Sequence, residues 1–212
     1  MALDPARRLT LALAAAAAVS GMVLMAGCER ATEPAAAQRP AFKAVDITGA
    51  AYARELTLPD VDGRQRSLAE FKGQLVVVFF GFAQCPDVCP TTLQELAMVR
   101  EALAPEGGRL QGIFVTVDPE RDTPEVLKAY TANYGAGFIA LRGTLEATQA
   151  MAKDFKVFYS KVPGKTEGSY TIDHTAGAYV FDTQGRIRLF TRYGSGTEAL
   201  LHDLRLLLAE TA

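Results

Sequence analysis

Histidine is almost missing from this chain, with two in 212 residues, His174 and His202. Cysteine is nearly as scarce, at Cys28, Cys85 and Cys89. So few thiols argue against a disulfide framework for a chain of this length. They also leave no evident fourth ligand for a closed structural zinc site. An excess of positive charge is absent too. The 22 Lys and Arg are set against 24 Asp and Glu, the formal net charge is -2, and no basic stripe carries interleaved aromatics. That balance argues against nucleic acid as a partner. No internal repeat or second domain can be found. With 49% hydrophobic and 22% charged residues, the composition is that of an ordinary folded protein, with room for one domain plus appendages.

The N-terminus is where long hydrophobic character is concentrated. Arg7 and Arg8 precede an alanine-rich apolar run over residues 9–27, which reads as an export signal. It ends in Leu24-Met25-Ala26-Gly27-Cys28, resembling the lipobox of bacterial lipoproteins, in which the cysteine is lipidated. The competing reading is an uncleaved membrane anchor, for which the run is about long enough. Both place the globular part outside the cytoplasm at the membrane surface. If Cys28 carries lipid, one pair of thiols remains.

Residues 28–50 are rich in Ala, Pro, Thr and Gly without apolar periodicity. They read as a flexible tether, leaving one domain over residues 51–212. Residues 56–63 suggest a short strand running into an Asp-Gly turn, and residues 67–71 one helical turn. Leu75-Val76-Val77-Val78-Phe79-Phe80 predicts a strand buried on both faces, and residues 110–117 predict a second. Leu93, Leu96, Val99 and Leu103 form a helical stripe. Asp122-Thr123-Pro124-Glu125 is a helix start. Further on come a strand at 138–141, a helix at 145–155 and a hairpin around Pro163-Gly164. An antiparallel pair at 178–182 and 187–190 precedes a closing helix at 200–208. This succession predicts an α/β fold, a thioredoxin-like sandwich with a mixed central sheet flanked by helices.

Cys85 and Cys89 lie in Gly81-Phe82-Ala83-Gln84-Cys85-Pro86-Asp87-Val88-Cys89-Pro90, directly after the first buried strand. If the chain turns helical at or just after Cys85, residues four apart share a face and the sulfurs converge. A helix N-terminus there favours the thiolate. The thiolate both binds metal and attacks disulfides, so the pair alone leaves both roles open. A Cys85–Cys89 disulfide would close a very small loop and constrain little of the unfolded chain.

His174, in Ile172-Asp173-His174-Thr175-Ala176-Gly177, precedes an apolar strand that should bring it to the end of the cysteine-bearing one. Thiol oxidoreductases of thioredoxin-like fold usually carry proline about two residues later, where this chain has Ala176. Two thiolates and an imidazole make a soft, incomplete ligand set that suits copper, and an open set fits a metal to be handed on. Asp87, between the thiols, and Asp173, beside the imidazole, are candidates for outer support of the ligands, Asp173 as a hydrogen-bond acceptor. Asp87 is equally readable as a partner contact or a solvated loop carboxylate, and Asp173 as a side chain that points away. Asp118, Arg121 and Asp122 are open between a partner-recognition surface and a turn with a helix cap. His202, beside Asp203 on the closing helix, reads as part of a solvated face, and Met98 and Met151 as packing residues.

Three segments carry a family resemblance. They are Cys85-Pro86-Asp87-Val88-Cys89-Pro90, Val117-Asp118-Pro119-Glu120-Arg121-Asp122-Thr123-Pro124, and Asp173-His174 before the strand ending in Phe181-Asp182. On these, roughly residues 50–210 resemble the SCO/SenC family, thioredoxin-like copper proteins that assist assembly of cytochrome c oxidase. The resemblance implies that Cys85, Cys89 and His174 bind one copper ion, as Cu(I) or Cu(II). It also implies copper delivery to, or thiol reduction at, the binuclear copper site of oxidase subunit II. Loading with Cu(I) requires both cysteines reduced, so an extracytoplasmic thiol reductant is an expected partner, with another copper carrier as a further one. The expectation is a membrane-tethered metallochaperone, rather than an enzyme, on the extracytoplasmic face of a bacterial cytoplasmic membrane. The alternatives are a thiol-disulfide reductase that uses Cys85 and Cys89 without His174, and a redox or copper sensor.

Overall fold

The computed structural model describes residues 41–210. The export segment, Cys28 with its lipobox, and the tether as far as residue 40 lie outside the described residues. In chain order the first elements are β1 (Val45–Asp46), β2 (Thr57–Pro59), β3 (Gln65–Ser67), β4 (Leu75–Gly81), α1 (Val88–Ala102) and β5 (Leu110–Thr116). Then follow α2 (Pro124–Ala132), β6 (Phe138–Leu141), α3 (Leu145–Asp154) and β7 (Tyr159–Pro163). The last are β8 (Tyr170–His174), β9 (Gly177–Phe181), β10 (Ile187–Arg192) and α4 (Thr197–Ala209).

Six of the strands form one mixed sheet in the order β1-β10-β9-β4-β5-β6. β4 pairs parallel with β5, which pairs parallel with β6. On its other side β4 meets β9 antiparallel, and β10 and β1 continue antiparallel to the edge. Every residue of β4 is buried, as its unbroken branched and aromatic run demands of a strand covered on both faces. Alternate side chains serve two cores. Val76, Val78 and Phe80 point to one, which also holds Phe155 after α3 and Tyr179 of β9. Leu75, Val77 and Phe79 point to the other, filled by Leu93 and Leu96 of α1 and Leu204 of α4. The sheet flanked by helices is the thioredoxin-like arrangement.

The expected helix start at residues 122–125 is present, and the stretch read as tether is partly structured. The cap of α2 is Thr123, whose hydroxyl accepts the Val126 N–H, with Pro124 in the first turn, where its missing N–H costs nothing. The stretch taken as tether contains β1, which pairs Val45 with Phe190 of β10. Just before it, the N–H groups of Lys43 and Ala44 donate to the two carboxylate oxygens of Asp203, each at 2.8 Å. Asp203 is fully buried, so it does not belong to a solvated helix face. Its carboxylate ties α4 to the start of the described chain, and only distant backbone donors explain its burial.

Replacing Asp203 strands two partly buried backbone donors. Asp203→Ala is expected to lower the unfolding free energy by about 2 kcal/mol, read as a reduced denaturant midpoint at unchanged slope.

Candidate metal centre

β4 ends at Gly81, and the chain then reverses through a turn closed by the Cys85 N–H on the Phe82 carbonyl at 3.1 Å. A residue before proline is disfavoured in the helical region, and Cys85 precedes Pro86. The helix accordingly starts at Val88, with Asp87 as its N-cap residue, and Cys85 lies outside it. The two cysteines therefore do not share a helical face. They converge because the first turn of a helix has unpaired N–H donors, and that of Cys89 donates to Cys85 Sγ at 3.5 Å. Neither cysteine is disulfide-bonded.

The Cys89 sulfur is buried in space that Gly81 leaves open. A Cβ at position 81 would stand 2.4 Å from Cys89 Sγ and 3.0 Å from the Phe114 ring. Any larger residue there would expel the sulfur. Gly81 is thus a functional position that the cysteine motif alone does not reveal. The signal available was its place as the last residue of a strand otherwise made of bulky side chains.

His174 is the last residue of β8, and its Nε2 lies 3.6 Å from Cys89 Sγ. Its Nδ1 faces the Thr175 carbonyl at 3.1 Å. A carbonyl can only accept, so Nδ1 carries a proton, which leaves Nε2 as the ring nitrogen that faces the sulfurs. The neighbouring carbonyl thus performs the orienting role considered for Asp173, which is exposed. Phe82 stands edge-on to the imidazole, with centroids 6.0 Å apart at 89°. Asp87 is exposed and accepts the Tyr193 hydroxyl at 3.2 Å, away from the three converging atoms. His202 lies on α4 beside Asp203, at 3.5 Å.

Two Sγ atoms and one imidazole nitrogen lie within 4.8 Å of one another. Among the described residues this is the one group of three or more Cys, His, Asp or Glu placed to hold a metal. The sulfurs are electrostatically unlike. The Cys89 thiol donates to Cys85 and, together with His174 and the Asp87 and Cys89 N–H groups, holds Cys85 well below the usual thiol range against the opposing effect of burial. Cys89 is pushed up, because its proton is engaged by Cys85 and its sulfur is buried. The metal-free site therefore holds a half-exposed thiolate at Cys85 and a buried thiol at Cys89.

Asp118 and Asp122 are both buried, so neither contributes to a recognition surface. Asp122 accepts the Ala83 N–H at 3.1 Å and the Thr116 hydroxyl at 2.5 Å, bracing the cysteine loop against the end of β5. Burial pushes its carboxyl up.

A mixed sheet that brings two free thiols and an imidazole together at the end of its central strand defines a thioredoxin-like domain with a soft metal-ligand cluster. The chain belongs to the SCO1/SenC family, whose model matches residues 45–209. The SCO2-like protein of Rickettsia prowazekii is 38% identical over 130 residues, 61% of this chain and 63% of that one. The chain spans about half to two thirds of the length of the first curated relatives it matches. The solution structure of apo Sco1 from Thermus thermophilus is 37% identical, with a TM-score of 0.70 over 79% of this chain and 97% of that one. Copper-bound ScoI of Bradyrhizobium japonicum is 34% identical, with a TM-score of 0.64 over 71% of this chain and 96% of that one.

The unequal sulfurs have a kinetic signature. In the reduced, metal-free protein iodoacetamide is expected to alkylate Cys85 well before Cys89. Only the thiolate reacts, and it persists above its pKa. The Cys85 rate should therefore stay flat down to about pH 5, where an ordinary thiol with a pKa of about 8.5 has lost nearly all its reactivity. Cys89→Ala removes the donor and should move the fall-off upward in pH, as followed by peptide mass spectrometry.

Proposed function

We propose that this protein is a membrane-tethered copper metallochaperone. Cys85 Sγ, Cys89 Sγ and His174 Nε2 hold one copper ion and pass it to the binuclear copper site of cytochrome c oxidase subunit II. The observation that carries this reading is the convergence of three soft donor atoms within 4.8 Å of one another. Thiolates suit Cu(I) and imidazole accommodates copper in either oxidation state. Similarity to a copper-bound ScoI supports the choice of metal.

In this reading copper leaves by ligand exchange. Cys85, the more exposed sulfur, is where an incoming partner thiolate can attack, while Cys89 and His174 retain the ion until the partner has gained a hold. Both cysteines must be reduced for Cu(I) loading, so an extracytoplasmic thiol reductant acts upstream. The described residues contain no helix long and apolar enough to cross a membrane. Attachment is assigned to the N-terminal segment, through lipid on Cys28.

A second reading is favoured by one observation, the free, partly exposed Cys85 sulfur that accepts the Cys89 N–H beside a buried second thiol, a setting that lowers its pKa. A stable, accessible thiolate next to a second thiol is also the apparatus of a disulfide reductase acting on the recipient's cysteines.

Anaerobic Cu(I) titration of the reduced protein tests the first reading. One equivalent should bind with sulfur and imidazole scattering in X-ray absorption, and Cys85→Ser or His174→Ala should each weaken binding at least about tenfold. Unchanged titrations for both variants would refute copper carriage. An oxidase-assembly assay separates the readings, since a fully active His174→Ala beside an inactive Cys85→Ser would establish the reductase.

A further inference from the structure

His174 reaches the cysteines from outside the main sheet. β7 and β8 form a separate two-stranded sheet with no ladder to the six-stranded one, and main-sheet pairing holds the chain only from Ala176 and Gly177 onward, which anchors one end of the row that carries His174. Residues two apart on a strand share a face, and Tyr170, Ile172 and His174 therefore form one row of β8. Ile172 is buried in the core, which presses the hairpin down without fixing its register. Tyr170, at the far end of the row, is where specific polar contacts gather.

We propose that Arg121 is the positioning residue for the imidazole half of the site. With Asp118 and Tyr170 it forms a clasp that sets where His174 stands relative to Cys85 and Cys89. The proposal rests on the copper reading above.

Asp118 Oδ1 accepts the Tyr170 hydroxyl at 2.9 Å and Oδ2 accepts Arg121 Nε. Arg121 Nη1 donates to the Tyr170 carbonyl at 2.8 Å, and its guanidinium lies 3.6 Å from the Tyr170 ring centroid. Tyr170 is thus gripped at its hydroxyl, its ring and its backbone by a single ion pair. Charge-assisted hydrogen bonds are stronger and more directional than neutral ones, and the rigid guanidinium fork fixes direction as well as distance. The same guanidinium lies 5.7 Å from the centroid of Phe82, the ring that stands edge-on to His174. Arg121 therefore bears on both the strand that carries the imidazole and the aromatic ring beside it. One residue further along, Asp122 holds the Ala83 N–H of the cysteine loop. The segment between β5 and α2 consequently grips both halves of the ligand set, Asp122 the thiol half and Arg121 the imidazole half.

The test is Cu(I) competition titration and X-ray absorption on Arg121→Gln, Tyr170→Phe, His174→Ala and the Arg121→Gln/His174→Ala double variant of the full chain. Arg121→Gln should weaken copper binding about tenfold to a hundredfold, the range found for groups that support metal ligands. It should also reduce imidazole scattering while leaving sulfur scattering intact. On the His174→Ala background Arg121→Gln should add no further loss, because a residue acting only through His174 is non-additive with it. In the metal-free protein the Thr175 amide, bonded to the Phe158 carbonyl at 2.9 Å, should exchange faster in Arg121→Gln and Tyr170→Phe, with β4 amides unchanged. Tyr170→Phe keeps the ring and carries the same comparisons if Arg121→Gln does not fold. Wild-type affinity with undiminished imidazole scattering in Arg121→Gln would overturn the clasp, as would a full additional loss in the double variant. If His174→Ala leaves copper binding unchanged, the assignment of His174 as a copper ligand fails. Unchanged Thr175 exchange in both clasp variants would then overturn the clasp independently.

Discussion

The parallel pairing of β4 with β5 is the constraint on which everything else at the site depends. The seven-residue ladder runs from Leu75–Leu110 to Gly81–Thr116 and is prolonged by the Val117 N–H on the Gly81 carbonyl at 2.8 Å. Two loops are thereby launched side by side from the carboxyl ends of two buried strands, the usual location for sites in open α/β sheets. β9 runs antiparallel to β4, with Ala178 opposite Phe79, so the segment preceding β9 arrives at the same edge. Cysteines, the acidic loop and the histidine, widely separated in sequence, become neighbours through sheet topology.

The site is built from unlike halves. The thiol half belongs to the rigid core, since Cys89 packs with Leu93 and Phe114 on one face of the sheet and its backbone starts α1. The imidazole half sits on a two-stranded appendage, held by Ile172 in the core, by Tyr159 and Tyr170 packed against it, and by polar contacts. Their chemistry differs accordingly. The Cys89 thiol, with His174 and backbone N–H groups at the helix start, lowers the Cys85 pKa against the opposing effect of burial. The imidazole is oriented by a peptide carbonyl at Nδ1, which leaves Nε2 facing the sulfurs. Such a combination holds a soft cation without demanding a fourth ligand.

Much of this was legible in the sequence because it is written in local patterns. The run Leu75 to Phe80, the helical stripe from Leu93 to Leu103 and the cap at Thr123-Pro124 each report contacts made within a few residues or with an apolar environment in general. The placement of His174 beside the cysteines was also legible, because histidine is so rare here and because the order of elements predicts which loops meet. Long-range polar pairing was not legible. Asp203 looks like any surface helix carboxylate until the Lys43 and Ala44 amides arrive from 159 and 160 residues away. Asp118 and Asp122 look like turn residues until Tyr170 and Ala83 come into reach. The orienting partner of His174 was missed for a different reason, as a backbone carbonyl is available at every position and no residue type advertises it.

The space above Gly81 also bears on how a ligand can leave. Cys89 Sγ occupies the volume a methyl group would take and is packed against Phe114 like any core atom. Pulling it outward would open a small apolar void between Phe79 and Phe114, and such voids disfavour the displaced state. The buried sulfur is in effect spring-loaded toward the interior. An ion bound there is drawn down to a fixed atom rather than met by a mobile one, and a competitor that takes the ion away releases no strain and leaves no gap behind.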